Sequence, residues 1–219
     1  MRNDDWEKCS GQPDLERRRL LRYMGTALGA VPVLGSLEAL AAGSAPLIRR
    51  PIPSSGEKLP VVGLGSWTTF NVGNDRVLRD ECTDVIRAFF ERGGRMIDSS
   101  PMYGSSQEVI GYALAKLKRP TQLFSTDKVW TSSGSDGPDQ IEETRRHWGV
   151  SKLDLLQVHN LLAWEKHLST LFAMKAAERL RYVGVTTSHG RRHGDIEKIM
   201  RWAVVECKLD ASRVAETVQ

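Results

Sequence analysis

The feature that most constrains this chain is a repeat interval. Trp67, Asp98, Lys128, His159 and Thr187 lie 31, 30, 31 and 28 residues apart. Each stands at the end of a short apolar run, at 61–65, 95–98, 123–126, 153–158 and 182–185. Amphipathic segments follow at about 80–92, 106–117, 138–148, 164–179 and 195–201, with Gly93-Gly94 as a stop signal and Pro138 suited to a first helical turn. An interval of about 30 residues is the length of one βαβ unit. Successive units of that kind build a parallel sheet with helical crossovers. The chain is therefore expected to be α/β, and the residues that close its strands are expected to share one edge of the sheet. Ser105 and Glu108 have the spacing of a capping box at the start of the second helix.

The N-terminus has a different composition. Glu16-Arg17-Arg18-Arg19-Leu20-Leu21-Arg22 precedes a Gly- and Ala-rich apolar run to Ala42, with small residues around Ala39 and Ala41. A basic region, an apolar region and small residues have the layout of a secretory signal. The paired arginines followed by leucines resemble a twin-arginine leader. Residues 1–45 are accordingly read as a signal peptide and the protein as periplasmic or otherwise extracytoplasmic. Pro32, Glu38 and several glycines interrupt the run, so no stable membrane span is expected once the leader is removed. Residues 46–60 hold four prolines and read as a linker or extended lead-in.

The net charge of +4 is modest and much of the basic excess is N-terminal, with no basic stripe interleaved with aromatics. Nucleic acid is not an expected partner. Cys9, Cys82 and Cys207 lack metal-ligand spacing, so no metal site is expected.

Asp98, Tyr103, Lys128 and His159 suit one kind of chemistry. A phenol holds its proton tightly at neutral pH, its ordinary pKa being about 10. A neighbouring ammonium favours the phenolate and eases loss of the proton, and a carboxylate keeps that ammonium charged and oriented. A histidine can donate a hydrogen bond to a carbonyl oxygen on which charge develops. Together they serve a reaction in which a carbonyl oxygen gains negative charge and then a proton. The hydride must come from a cofactor. Taken singly, Asp98 and Lys128 read equally well as an ion pair at a sheet edge, Tyr103 as a loop tyrosine, and Trp67 as a cover over the mouth. His147, His167, His189 and His193 read as solvated.

Five segments carry a family resemblance: Gly63-Leu-Gly-Ser-Trp67, Ile97-Asp-Ser-Ser-Pro-Met-Tyr-Gly104, Ser125-Thr-Asp-Lys-Val-Trp130, Leu155-Leu-Gln-Val-His-Asn160 and Tyr182-Val-Gly-Val-Thr-Thr187. In order and spacing they resemble the aldo-keto reductases over about residues 52–200. The resemblance implies a (β/α)8 TIM barrel and reduction of a small aldehyde or ketone by NADP(H) or NAD(H). It makes Tyr103 the general acid, tuned by Lys128 and Asp98, with His159 orienting the carbonyl. It places the nicotinamide carboxamide against Thr186 and Thr187, makes Asp98 a cofactor-binding residue as well, and sets the cofactor or substrate against Gly65, Ser66 and Trp67. This family binds its cofactor without a Rossmann domain, in agreement with the absence of a GxGxxG motif.

The resemblance covers about five of eight βα units, at 61–201, and residues 202–219 read as an atypical tail. The expectation is an incomplete, C-terminally truncated barrel whose open edges invite self-association. The alternative is a weakly active or inactive remnant that acts as a binding or interaction module.

Overall fold

The computed structural model describes residues 46–188 and 193–206. The expected leader at 1–45, most of the expected tail, and His189, Arg191 and Arg192 lie outside the described residues, as does the His193 side chain.

The described chain opens with an antiparallel pair, β1 (Arg49–Pro51) and β2 (Lys58–Pro60), in the segment expected to be a linker. Prolines sit at the strand margins, where a missing N–H is tolerated. The pair is anchored by Glu57, whose carboxylate accepts hydrogen bonds from Arg95 (3.0 Å), Tyr182 (3.1 Å) and Arg181.

A five-stranded parallel sheet follows, in the order β3 (Leu64–Gly65), β4 (Met96–Asp98), β5 (Phe124–Val129), β6 (Leu153–His159) and β7 (Leu180–Thr186). The first strand is shorter than its sequence suggested. Val61 and Val62 were expected in it, yet they lie outside any strand and are exposed. The third and fifth strands run two to three residues longer than expected.

The crossovers are helical: α1 (Arg76–Glu91), α2 (Ser106–Lys116), α3 (Gly137–Trp148), α4 (Trp164–Ala176) and α5 (His193–Glu206). In α1, the Asp75 side chain accepts hydrogen bonds from the Val77 and Leu78 amides, at 2.9 and 3.1 Å. That cap satisfies two otherwise unpaired donors and starts the helix four residues before the expected position. Its buried residues Cys82, Thr83, Ile86 and Phe90 form one stripe facing inward. Pro138 stands in the first turn of α3, and Gly149 ends that helix in the left-handed conformation at φ +64°. The expected capping box of α2 does not form. Ser105 Oγ instead accepts from the Gly73 amide (2.8 Å) and donates to Asn71 (3.2 Å), while Glu108 pairs with Arg79.

The core lies between the helices and one face of the sheet. Ile97, Val129, Leu156 and Val158 on the strands meet Val109, Ile110, Ala113, Trp148 and Leu171 on the helices, all essentially buried. Helices α2 and α3 approach so closely that a Cβ on Gly111 would stand 1.8 Å from the His147 carbonyl oxygen. Trp202 of α5 packs against Trp164 and Phe172, with ring centroids 6.0 and 5.9 Å away. The last helix therefore runs through 202–206, where the sequence suggested a departing tail. His167 is buried too, against expectation, and its Nε2 lies 3.0 Å from the Thr131 carbonyl oxygen.

Among the described residues no helix is long and apolar enough to cross a membrane.

Candidate active site

The register of the sheet explains how four residues from four places meet. Asp98 lies opposite Thr126, Lys128 opposite Gln157, and His159 opposite Thr186. Each site residue is thus two positions further along its strand than the neighbour's partner. Side chains alternate faces with period two, so Asp98, Thr126, Lys128, Gln157, His159 and Thr186 all point to the same face. The progressive stagger is the shear that tilts strands in a barrel. The opposite face carries Ile97, Val129, Leu156 and Val158 and is the one the helices cover.

At the C-terminal end of that face the polar side chains are linked. Lys128 Nζ donates to Asp98 Oδ2 at 2.5 Å and to the Ser99 carbonyl oxygen at 2.7 Å. Thr126 Oγ1 donates to Asp98 Oδ1 at 3.4 Å, and Gln157 Nε2 donates to Thr126 Oγ1 at 3.3 Å. The Lys128 side chain is 6 % exposed and that of Asp98 33 %. The ammonium is therefore held in a dry place by a carboxylate that opens to solvent, the arrangement in which charge pairing counts for most on the buried partner.

Tyr103 belongs to the loop between β4 and α2. Its amide donates to the Ser100 carbonyl oxygen (3.0 Å), its own carbonyl oxygen accepts from the Ser106 amide (3.2 Å), and Gly104 turns the chain at φ +58°. Ser99 and Ser100 are fully buried beneath this loop. The half-buried Tyr103 ring lies with the Lys128 ammonium 5.1 Å from its centroid. Trp67, 62 % exposed, leans over the other side, with ring centroids 6.5 Å apart.

His159 is buried at the end of β6, beside Thr186 of β7. The following loop holds three non-glycine residues at left-handed φ, Asn160 (+53°), Leu161 (+53°) and Ala163 (+41°). Such conformations cost of order 1 kcal/mol or more each and persist where surrounding contacts fix them. One such contact is Asn160 Oδ1, which accepts from the Ser188 amide (3.0 Å) and hydroxyl (3.1 Å).

The structure thus brings Asp98, Lys128 and Tyr103 into one group and sets His159 on the same face one strand further on. Of the residues expected at the cofactor, Gly65 is exposed opposite Asp98, and Thr186 and Thr187 are half-buried beside His159. Ser66 is different. Its hydroxyl is buried and donates to Ser99 Oγ at 3.0 Å, and its amide donates to the Asp98 carbonyl oxygen, so Ser66 ties β3 to β4 and the Tyr103 loop.

Sequence reasoning passed over Gln140, whose side-chain amide accepts from the Trp130 N–H (2.7 Å) and donates to the Trp130 carbonyl (3.0 Å), fixing the loop just after Lys128. It also passed over Asp127, a fully buried carboxyl, and over Asn160 with Ser188. Asp127 and Asn160 each neighbour a chosen residue in sequence, which is a signal available without coordinates.

Residues 61–217 match the aldo/keto reductase family along most of the chain. The chain belongs to that family. The match runs past residue 201, where the resemblance read from motifs alone had ended. Methylglyoxal reductase YeaE of Escherichia coli is 30 % identical over 140 residues, covering 62 % of this chain and 48 % of that protein. The NAD(P)H-dependent D-xylose reductase xyl1 of Aspergillus niger is 32 % identical over 115 residues, covering 48 % of this chain and 33 % of that one. The chain thus spans half or less of the length of these relatives. Among solved structures, the thermostable aldo-keto reductase Tm1743 superposes with a TM-score of 0.57 at 25 % identity, over 67 % of this chain and 56 % of the other. An aldo/keto reductase from Klebsiella pneumoniae, solved with NADP and acetate, gives 0.56 at 21 % identity over 67 % and 51 %, a likeness of fold. The fold is α/β and corresponds to part of a (β/α)8 barrel.

Proposed function

We propose that this chain reduces the carbonyl of a small aldehyde or ketone with NADPH or NADH, using Tyr103 as the proton donor. The observation that carries this reading is the grouping of the Asp98–Lys128 ion pair under the Tyr103 ring, with His159 on the same face. It is supported by family membership and by relatives whose names denote reduction of methylglyoxal and of D-xylose.

The nicotinamide end of a cofactor fits the residues present. A carboxamide needs both donors and acceptors, and a hydroxyl can be either; Thr186 and Thr187 bring two of them, half-buried, to the end of β7 beside His159. When bound, the reduced nicotinamide supplies the hydride.

The protein's own groups do the rest. His159 donates a hydrogen bond to the carbonyl oxygen and stabilises the charge that grows there. The Tyr103 hydroxyl gives that oxygen its proton. The Lys128 ammonium, nearly dry, stabilises the negative charge left on the phenol, and Asp98 holds that ammonium in place. Ser99, through its carbonyl oxygen, fixes the ammonium from a second side. Trp67, with its ring centroid 6.5 Å from that of Tyr103, puts apolar surface beside the phenol and limits water next to the reacting oxygen.

We further propose export through the twin-arginine-like segment at residues 17–22, and association through sheet edges β3 and β7, each paired on one side only among the described strands. Those edges also favour the second reading, a binding or interaction module of the same fold. Titrating NADPH into the purified chain while following Trp67 and Trp130 fluorescence separates the two. Binding in the micromolar range supports the reductase; no quenching up to millimolar cofactor sinks it.

A further inference from the structure

Asp127 immediately precedes Lys128 on β5, so its side chain leaves the opposite face of the sheet. It is completely buried. Its carboxylate accepts from Gln107 Nε2, 3.0 Å from both oxygens, from Trp148 Nε1 at 2.7 Å and from the Lys128 amide at 2.7 Å. Gln107 Nε2 also lies 3.1 Å from Thr144 Oγ1.

These partners come from separate parts of the site's support. Gln107 is in the first turn of α2, four residues after Tyr103; Trp148 is the last residue of α3; the amide belongs to Lys128 itself. Burial pushes the carboxyl up to about 7, against the opposing pull of the Lys128, Gln107 and Trp148 hydrogen bonds and of the Lys128 ammonium. An apolar side chain could fill the same space without that desolvation. Packing therefore does not explain an acid here. What an acid does that an apolar group cannot is gather three donors from three elements on one point.

We infer that Asp127 is a positioning residue: it locks the Lys128 backbone to the first turn of the helix behind Tyr103, and so sets where the Lys128 ammonium stands beneath the Tyr103 ring. The inference rests on Tyr103 and Lys128 acting as proposed above. It assigns Asp127 no contact with substrate or cofactor. Its effect passes through the backbone of β5 and the first turn of α2, which stand on either side of the loop carrying Tyr103.

The test labels tyrosine rings with 13C and assigns Tyr103 by its loss in Tyr103→Phe. Asp127→Ala is expected to move the Tyr103 resonance and, where turnover is measurable, to lower kcat by about 10-fold or more with KM little changed. Asp127→Asn keeps one acceptor oxygen, enough for the Lys128 amide or the Trp148 indole but not for both, and is expected to restore the resonance and kcat in part. Leu171→Ala, a core truncation in α4, lowers stability and is expected to leave the resonance in place. Should Asp127→Ala fail to fold, Gln107→Leu cuts the same link from the other end and is expected to move the resonance as well. An unmoved Tyr103 signal in Asp127→Ala or Gln107→Leu overturns the inference, as does an equal movement in Leu171→Ala. The resonance needs no turnover, so an inactive wild-type chain refutes the proposed reaction without deciding the role of Asp127.

Discussion

Removing the Asp98 carboxylate should cost far more than removing the whole Asp98–Lys128 pair. Lys128 is 6 % exposed, and its ammonium touches Asp98 at 2.5 Å, the Ser99 carbonyl oxygen at 2.7 Å and the Tyr103 ring face. In Asp98→Ala the cation keeps one neutral acceptor and a ring, the latter worth about 0.5–2 kcal/mol. Taking one partner from a buried pair costs roughly 3–5 kcal/mol, whereas an exposed pair is worth about 1 kcal/mol or less. Asp98 itself is one-third exposed, so water can partly replace it, which puts the expected loss at about 3 kcal/mol. For a chain of this size that is a fall in Tm of roughly 6–12 °C. Lys128→Met in the same background removes the stranded charge, and the double variant should recover about 2 kcal/mol of the loss. Urea unfolding of wild type, both single variants and the double variant completes the cycle. Additive single effects, with no coupling between positions 98 and 128, would refute the claim that the ammonium depends on this carboxylate.

Three further outcomes follow from particular contacts. Asp127, raised from 3.8 to about 7, binds a proton in the folded chain over a range in which the unfolded chain has already lost it. Its contribution to stability is therefore largest at low pH, declines as pH rises from about 4 to about 7, and is flat above, an effect of order 4 kcal/mol at most. Subtracting the pH–stability curve of Asp127→Asn from that of wild type should show a difference that falls across this window; a difference that rises there contradicts the assignment. Gly111→Ala gains about 1 kcal/mol of helix propensity but drives a Cβ to 1.8 Å from the backbone oxygen of His147. Overpacking of that kind costs about 1–3 kcal/mol or more, so a net loss is expected in thermal unfolding. Asp75→Ala removes both hydrogen bonds capping α1 and should cost about 1 kcal/mol, checked by the urea midpoint, with Asp75→Ser recovering most of it.

The strand-closing residues were legible because a parallel sheet imposes one interval on all of them, and a register that advances two residues per strand keeps them on one face. What the sequence hid depended on partners far along the chain. Val61 and Val62 look like core, but the hairpin of β1 and β2 takes up the residues before them and leaves them exposed ahead of a two-residue strand. Ser105 and Glu108 have capping-box spacing, yet Asn71, Gly73 and Arg79 compete for the same groups from over 25 residues away. Two misses were recoverable. His167 shares a helical stripe with Trp164, Leu168 and Leu171 and so faces inward with them. Asp127 alternates with Lys128 along a strand, so one of the two had to face the helices.

In the proposed reaction Tyr103 protonates a carbonyl oxygen as hydride arrives from a nicotinamide. The most direct measurement incubates the purified chain with NADPH deuterated at C4 and a small aldehyde, and reads deuterium at the former carbonyl carbon. Incorporation is expected with wild type, and a loss of about 10²-fold or more in rate with Tyr103→Phe. Equal incorporation by the two proteins, or none by wild type saturated with NADPH, contradicts that reaction.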